Sequence, residues 1–243
     1  MHIHVHVHVH RMCVSKVLDL QRRGVWSVGE LDVSGFSLRN SVHRTRVSSL
    51  KNLAACTTLT RLDVSHSRVC DLVPMQHLGA LRALWLKDSW VESLMGLEEC
   101  KQLRLLDLTD TRVSSLWPLC CESLRALGLG RTLVRDLSPL ESCKRLETLD
   151  LSAAVLLSTL TPLTACHKLC SLNLSGLADT AIDFSVLAGF PSLSVLRLDP
   201  TTALPNSLPA RIVVERSGAA GIHVPRHVSF LALARRSTEG TNL

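Results

Sequence analysis

The sequence predicts an α/β solenoid, a horseshoe whose concave face is a parallel β-sheet and whose convex face is built from short 3-10 or α turns. Three observations predict it. A pattern LxxLxLxx(S/T)xVxxLxxLxxCxx recurs with a period near 22 residues. The chain of 243 residues is 46% hydrophobic but only 3% aromatic, with no Tyr, so its core must be aliphatic. Pro74, Pro118, Pro139 and Pro162 all fall at one position of the repeat.

The repeats align without forcing. LTRLDVSHSRVCDLVPMQHLGA (59–80), LRALWLKDSWVESLMGLEECKQ (81–102), LRLLDLTDTRVSSLWPLCCES (103–123) and LRALGLGRTLVRDLSPLESCKR (124–145) stand first. LETLDLSAAVLLSTLTPLTACHK (146–168) and LCSLNLSGLADTAIDFSVLAGFPS (169–192) follow. A degenerate unit opens at Val28 (VGELDVSGF) and another at Leu193 (LSVLRLDP). In LDL or LWL the flanking aliphatics point into the core and the middle residue points out, as strand alternation requires. The next leucines recur at steps of three, which suits a 3-10 or short α turn on the far side. In SPL and TPL, Ser138 and Thr161 are expected as N-caps, with proline at the first helical residue, where a missing N–H does no harm. One such unit cannot bury its own leucines; a stack can.

Five domains of character follow along the chain. Residues 1–11 form a His/Val low-complexity leader expected to be disordered. Residues 12–27 form an N-terminal cap, with Val14, Val17 and Leu18 at helical spacing. The solenoid runs over 28–200. Residues 201–216 make a C-terminal cap in which ARIVV adds a last strand, and 217–243 form a tail around VSFLALA that the pattern does not place.

This pattern resembles the leucine-rich repeat superfamily over about residues 28–200. DLSPL (136–140) and LDLS (149–152) are similar to the short-repeat class that includes bacterial internalins and the leucine-rich regulatory subunit of a serine/threonine phosphatase. The chain departs from that class at Ser67, Ser89, Thr111 and Thr132, where Asn is usual. In the family that Asn bonds to backbone groups of the turn, and a hydroxyl can do part of the same work. The (S/T)xV step with Cys near the repeat end is similar to repeats of kinetoplastid leucine-rich repeat proteins. The resemblance implies a protein-binding scaffold, with regulation of a phosphatase as an alternative.

Composition narrows the function further. The formal charge of +6 is concentrated in the flanks: 1–58 carry 8 basic and 3 acidic groups, 59–145 carry 12 and 11, 146–199 carry 2 and 5, and 200–243 carry 5 and 2. No apolar run approaches the roughly 18 residues of a membrane helix. No signal-peptide core is seen, because histidine interrupts every apolar residue of the leader. Nine cysteines, an odd number without CxxC, are expected to be reduced thiols in a cytosolic or nuclear compartment. Counting back three residues from each repeat's first leucine gives Cys56, Leu78, Cys100, Cys121, Cys143, Cys166 and Phe190, which makes this column a core position. Catalysis by Cys166 with His167 would need an exposed, electropositive thiol, and side chains adjacent in sequence diverge.

The alternating His2, His4, His6, His8 and His10 are weak metal candidates. A straight strand delivers a row of rings rather than a tetrahedron, and no acidic residue precedes Asp19 to orient them. Alternating codons of a short nucleotide repeat would also encode this stretch, and Met12 offers a second start. Neither a Ser/His/Asp elbow nor a phosphate-cradling Gly loop nor HExxH occurs, so a non-enzymatic chain without cofactor is expected.

Candidate binding residues are those the strands turn outward. Arg61, Asp63, Trp85, Lys87, Leu105, Asp107, Asp150 and Asn173 are expected to form a partner-binding concave face, with Trp85 as an exposed anchor in a polar ring. Eight strands at about 4.8 Å make a surface on the order of 35 Å wide, the scale of a protein partner. The competing reading of Trp85 is sideways packing on its sheet neighbours, and that of the aspartates is a solvated, satisfied carboxylate. Nucleic acid is the weaker partner class, since the outward columns mix acids and bases and carry one Trp. It rests on Arg22, Arg23, Arg39, Arg44 and Arg46 in the N-terminal flank.

Overall fold

Each LxL step of the repeat falls on a strand of three or four residues, and successive strands pair in parallel because an excursion near 22 residues returns the chain to the same height one step along. The computed structural model describes residues 6–8, 30–32, 48–119, 122–177, 182–204 and 208–216. Its strands are β1 (His6–His8), β2 (Glu30–Asp32), β3 (Arg61–Asp63), β4 (Ala83–Trp85), β5 (Leu105–Asp107), β6 (Ala126–Gly128), β7 (Thr148–Asp150), β8 (Ser171–Asn173), β9 (Val195–Leu198) and β10 (Val213–Arg216). They form one 10-stranded sheet in sequence order. Every pair is parallel, and the register runs through equivalent residues: Leu62, Leu84, Leu106, Leu127, Leu149, Leu172 and Leu196 lie side by side.

Those leucines and the turn leucines make one continuous core from Leu50 to Ile212. Leu106, Leu127 and Leu172 are fully buried. The thiol column belongs to it: Cys56, Cys100, Cys143 and Cys166 are buried beside Leu78 and Phe190, while Cys121 lies outside the described residues. Burial pushes the Cys100 and Cys166 thiols up to about 11, and each donates to a backbone carbonyl, Cys166 to Leu140 O at 3.4 Å. They are core atoms, not nucleophiles.

The convex side carries 3-10 turns at Lys51–Ala55, Val73–Met75, Ser138–Ser142, Thr161–Ala165 and Phe184–Gly189. Ser138 and Thr161 are the first residues of these turns and not their caps. The capping work is done two residues earlier. Asp136 accepts from the Ser138 N–H at 2.8 Å and Thr159 from the Thr161 N–H at 3.1 Å. Asp71, Ser93, Ser115 and Asp183 do the same in their own coils. The hydrogen bond held by Ser138 lowers the Asp136 pKa.

The hydroxyls that replace Asn are buried at the strand exits. Thr111 and Thr132 donate to the carbonyls of Leu108 and Leu129 at 2.6 and 2.8 Å, and Ser67 accepts from the Val69 N–H at 3.3 Å. Just before Ser67, Ser89, Thr111 and Thr132 the backbone is left-handed, at His66, Asp88, Asp110 and Arg131, and it is so at Ala153, before Ala154, in the next coil. That conformation suits Asp and His better than most residues, and it aims each N–H at the next coil, as from His66 to Lys87 O at 2.7 Å.

Two expectations about the ends are modified. His6–His8 is a strand rather than part of a disordered leader. It pairs with β2, whose register sets His6 opposite Glu30 and His8 opposite Asp32. Alternating β-branched residues suit a strand, and the open end of a parallel sheet is a template for one. The last strand arises near ARIVV, as expected, but at Val213–Arg216. The cap at 12–27, the tail at 217–243, His2, His4 and His10 lie outside the described residues.

Candidate functional site

Position along each strand decides which side chains share a column on the concave face. Arg61, Ala83, Leu105, Ala126, Thr148 and Ser171 fill one column, and Asp63, Trp85, Asp107, Gly128, Asp150 and Asn173 fill the next. Arg61, Asp63, Trp85, Leu105 and Asp107 therefore lie together on β3–β5, with Lys87 just past the end of β4. Asp150 and Asn173 sit on β7 and β8, separated from them by the Gly128 strand.

The central strands are unusual in being buried on both faces. All three residues of β4, of β5 and of β6 are buried, whereas β3 and β7 bury only their middle leucine. Ala83, Trp85, Leu105 and Ala126 form a second apolar cluster, separate from the spine and on the opposite side of the sheet.

Trp85 is not the exposed anchor that its outward position suggests. It retains 9% of its surface, packed within this cluster, with the Arg61 guanidinium over its ring at 5.4 Å. The cause is geometric: small Ala83 and Ala126 leave room for a large ring to lie down, and a cation over the ring face is favourable by about 0.5–1 kcal/mol. Its indole N–H has no hydrogen-bond acceptor among the described residues. A buried Trp N–H normally has one.

The middle-column side-chain oxygens are bonded locally. Asp63, Asp107, Asp150 and Asn173 each accept a hydrogen bond from the backbone N–H two residues on, at 2.9, 3.0, 2.9 and 3.1 Å. Asp107 stands apart because it is also buried. Burial raises its pKa against the opposing influence of the Thr109 hydrogen bonds and Lys87, and Asp150 raises it further. Gly128 makes this carboxylate fit, since a Cβ there would lie 2.6 Å from Asp107 Oδ1.

Sequence reasoning missed a further column. Arg82, Arg104 and Arg125 occupy the residue before the outward Ala83, Leu105 and Ala126, and backbone hydrogen bonds tie them in series: Arg104 N–H to Arg82 O and Arg125 N–H to Arg104 O, both 2.8 Å. The signal was present as LRAL, LRLL and LRAL in three consecutive repeats. The N-terminal arginines that kept nucleic acid in view lie outside the described residues, and among those described no group of three or more side chains could hold a metal ion.

A sheet of stacked coils with leucines in register and outer columns free to vary defines a leucine-rich repeat solenoid, and comparison with solved structures agrees. An internalin C2 of Listeria monocytogenes is 22% identical with a TM-score of 0.60, covering 70% of this chain and 80% of its own. Internalin F of the same bacterium is 20% identical with a TM-score of 0.60, covering 84% of this chain and 70% of its own. A leucine-rich repeat protein of Leptospira interrogans is 18% identical with a TM-score of 0.53, covering 69% of this chain and 51% of its own. No family model and no curated protein sequence matches. The chain has the leucine-rich repeat fold. No helix among the described residues is long and apolar enough to cross a membrane.

Proposed function

We propose that the chain is a non-enzymatic scaffold that takes a partner protein on its concave face, centred on strands β4–β6. The second apolar cluster carries this reading. Ala83, Trp85, Leu105 and Ala126 form a buried apolar cluster on the side of the sheet that the spine does not use. Arg61, Asp63 and Lys87 border it, and the Arg61 guanidinium covers Trp85, so a partner meets this polar layer first. Asp150 and Asn173 extend the same face and are assigned to its periphery. On and beneath this face, burial pushes the Cys100 and Cys166 thiols up to about 11, and Asp63 and Asp150 accept from backbone N–H groups two residues on.

The test is capture of partners by the full chain and by a Trp85→Ala, Leu105→Glu double variant. The variant is expected to lose its partners while a thermal melt still shows cooperative unfolding, at a lower temperature because both sites are buried. Partners retained by a folded variant would place the interface elsewhere.

A further inference from the structure

The arginine column bears on what kind of partner that face accepts. Arg82, Arg104 and Arg125 stand on adjacent coils, about 5 Å apart by sheet geometry. Arg125 reaches Glu147, the next residue of its column, at 3.5 Å, but Arg82 and Arg104 form no ion pair among the described residues. Like charges at this spacing repel; burial and the neighbouring Arg82, Arg125 and Arg145 lower the pKa of Arg104. Immediately inside the column lie Ala83, Leu105 and Ala126, each 1–2% exposed. Beyond them is Trp85 with its unpartnered indole N–H. A cationic rail thus runs over coils whose outward apolar residues are already buried, so charge is what this edge of the face presents to a partner.

We propose that the partner docks through an acidic α-helix laid across β4–β6, parallel to the solenoid axis. Its carboxylates, one per turn, meet Arg82, Arg104 and Arg125. This rests on the concave-face reading above. Spacing selects the helix: side chains one turn apart advance about 5.4 Å, close to the coil spacing of about 4.8 Å. An extended segment offers same-face side chains every 6.6–6.8 Å or so, and falls out of step by roughly 4 Å over three coils. Nucleic acid fits less well. Asp63, Asp107 and Asp150 line the adjoining column, and the one aromatic there, Trp85, is covered by Arg61 rather than open to base stacking.

The test uses the full chain and a labelled, stapled helical peptide of about 20 residues, with Glu once per turn on an otherwise Ala- and Gln-rich helix. Three probes serve as controls: the same helix with Lys for Glu, an acidic peptide of equal charge broken by prolines, and a single-stranded oligonucleotide. By fluorescence anisotropy the acidic helix is expected to bind, and to bind more weakly as salt rises. Arg104→Glu should weaken it by at least roughly tenfold, while Arg104→Lys retains most of the affinity. The melting temperature of Arg104→Glu should hold or rise, because a like-charge contact is removed. Equal or better binding of any control, or indifference to Arg104→Glu, overturns the proposal. So does the failure of every peptide while captured partners still depend on Trp85 and Leu105, an outcome that leaves the concave reading standing. Captured partners indifferent to Trp85 and Leu105 would remove both.

Discussion

Strands β4–β6 and strands β7–β9 have the same inner face and different outer ones. Inside, Leu84, Leu106 and Leu127 continue into Leu149, Leu172 and Leu196 without a change of residue or burial. Outside, the central coils present Ala83, Leu105, Ala126 and Trp85 behind an arginine rail, whereas the later ones present Thr148, Ser171, Asp150 and Asn173 behind Glu147 and Cys170. The comparison separates two demands on a repeat. Stacking dictates the inner column in every coil, because a void or a polar atom there would cost several kcal/mol. The outer column is free to vary, so a run of apolar, doubly buried strands in it calls for an explanation other than the fold.

Breaking the inner column should be equally costly in both regions. Leu106→Ala and Leu172→Ala are each expected to lose about 2–5 kcal/mol in urea unfolding. A much smaller loss for Leu172 would show that the spine does not run evenly through the stack. The outer columns should differ. Gly128→Ala brings a Cβ to 2.6 Å from Asp107 Oδ1 and 3.0 Å from Thr109 Oγ1, so about 1–3 kcal/mol is expected. Thr148→Ala, at a half-buried site of β7, should stay within about 0.5 kcal/mol.

Asp107 sharpens the comparison through pH. Its folded-state pKa is raised, so the folded chain holds this proton more tightly than the unfolded chain. The group therefore costs stability as pH rises from the unfolded carboxylate range through its folded value. Asp107→Asn should stabilise the chain at neutral pH, with the gain fading as acid protonates the native residue; urea melts across pH measure it, and a gain that persists at the acid end would refute the burial argument. The smallest effect concerns the thiols. Under brief alkylation at mildly alkaline pH, exposed Cys70 should react while Cys100 and Cys166, at about 11, stay unmodified until unfolding. Mass spectrometry of the labelled peptides reads this out.

The strands were legible because LxL at a constant period leaves few alternatives. Arg61–Asp63 and Thr148–Asp150 fall where alternation places them, and the Cys column took its core role from the Leu78 and Phe190 that share it. Trp85 was legible as outward, with an exposed anchor and sideways packing both open; packing holds because its lid, Arg61, comes from the preceding coil and the room beneath it from Ala83 and Ala126. Ser138 resembled a cap since it precedes proline, yet Asp136 had the reach to bond the first free N–H. The arginine rail escaped notice because the residue before an outward position belongs to neither face by simple alternation.

What the sequence by itself determined is the stack: period, strand positions, the aliphatic spine and its thiols all follow from short-range spacing, since each coil packs only on its neighbours. What only the tertiary structure decided is the character of the outer surface. Side chains 20 or so residues apart meet there across strands, and whether a tryptophan stands up or lies down depends on the sizes and charges of those neighbours rather than on its own place in the repeat.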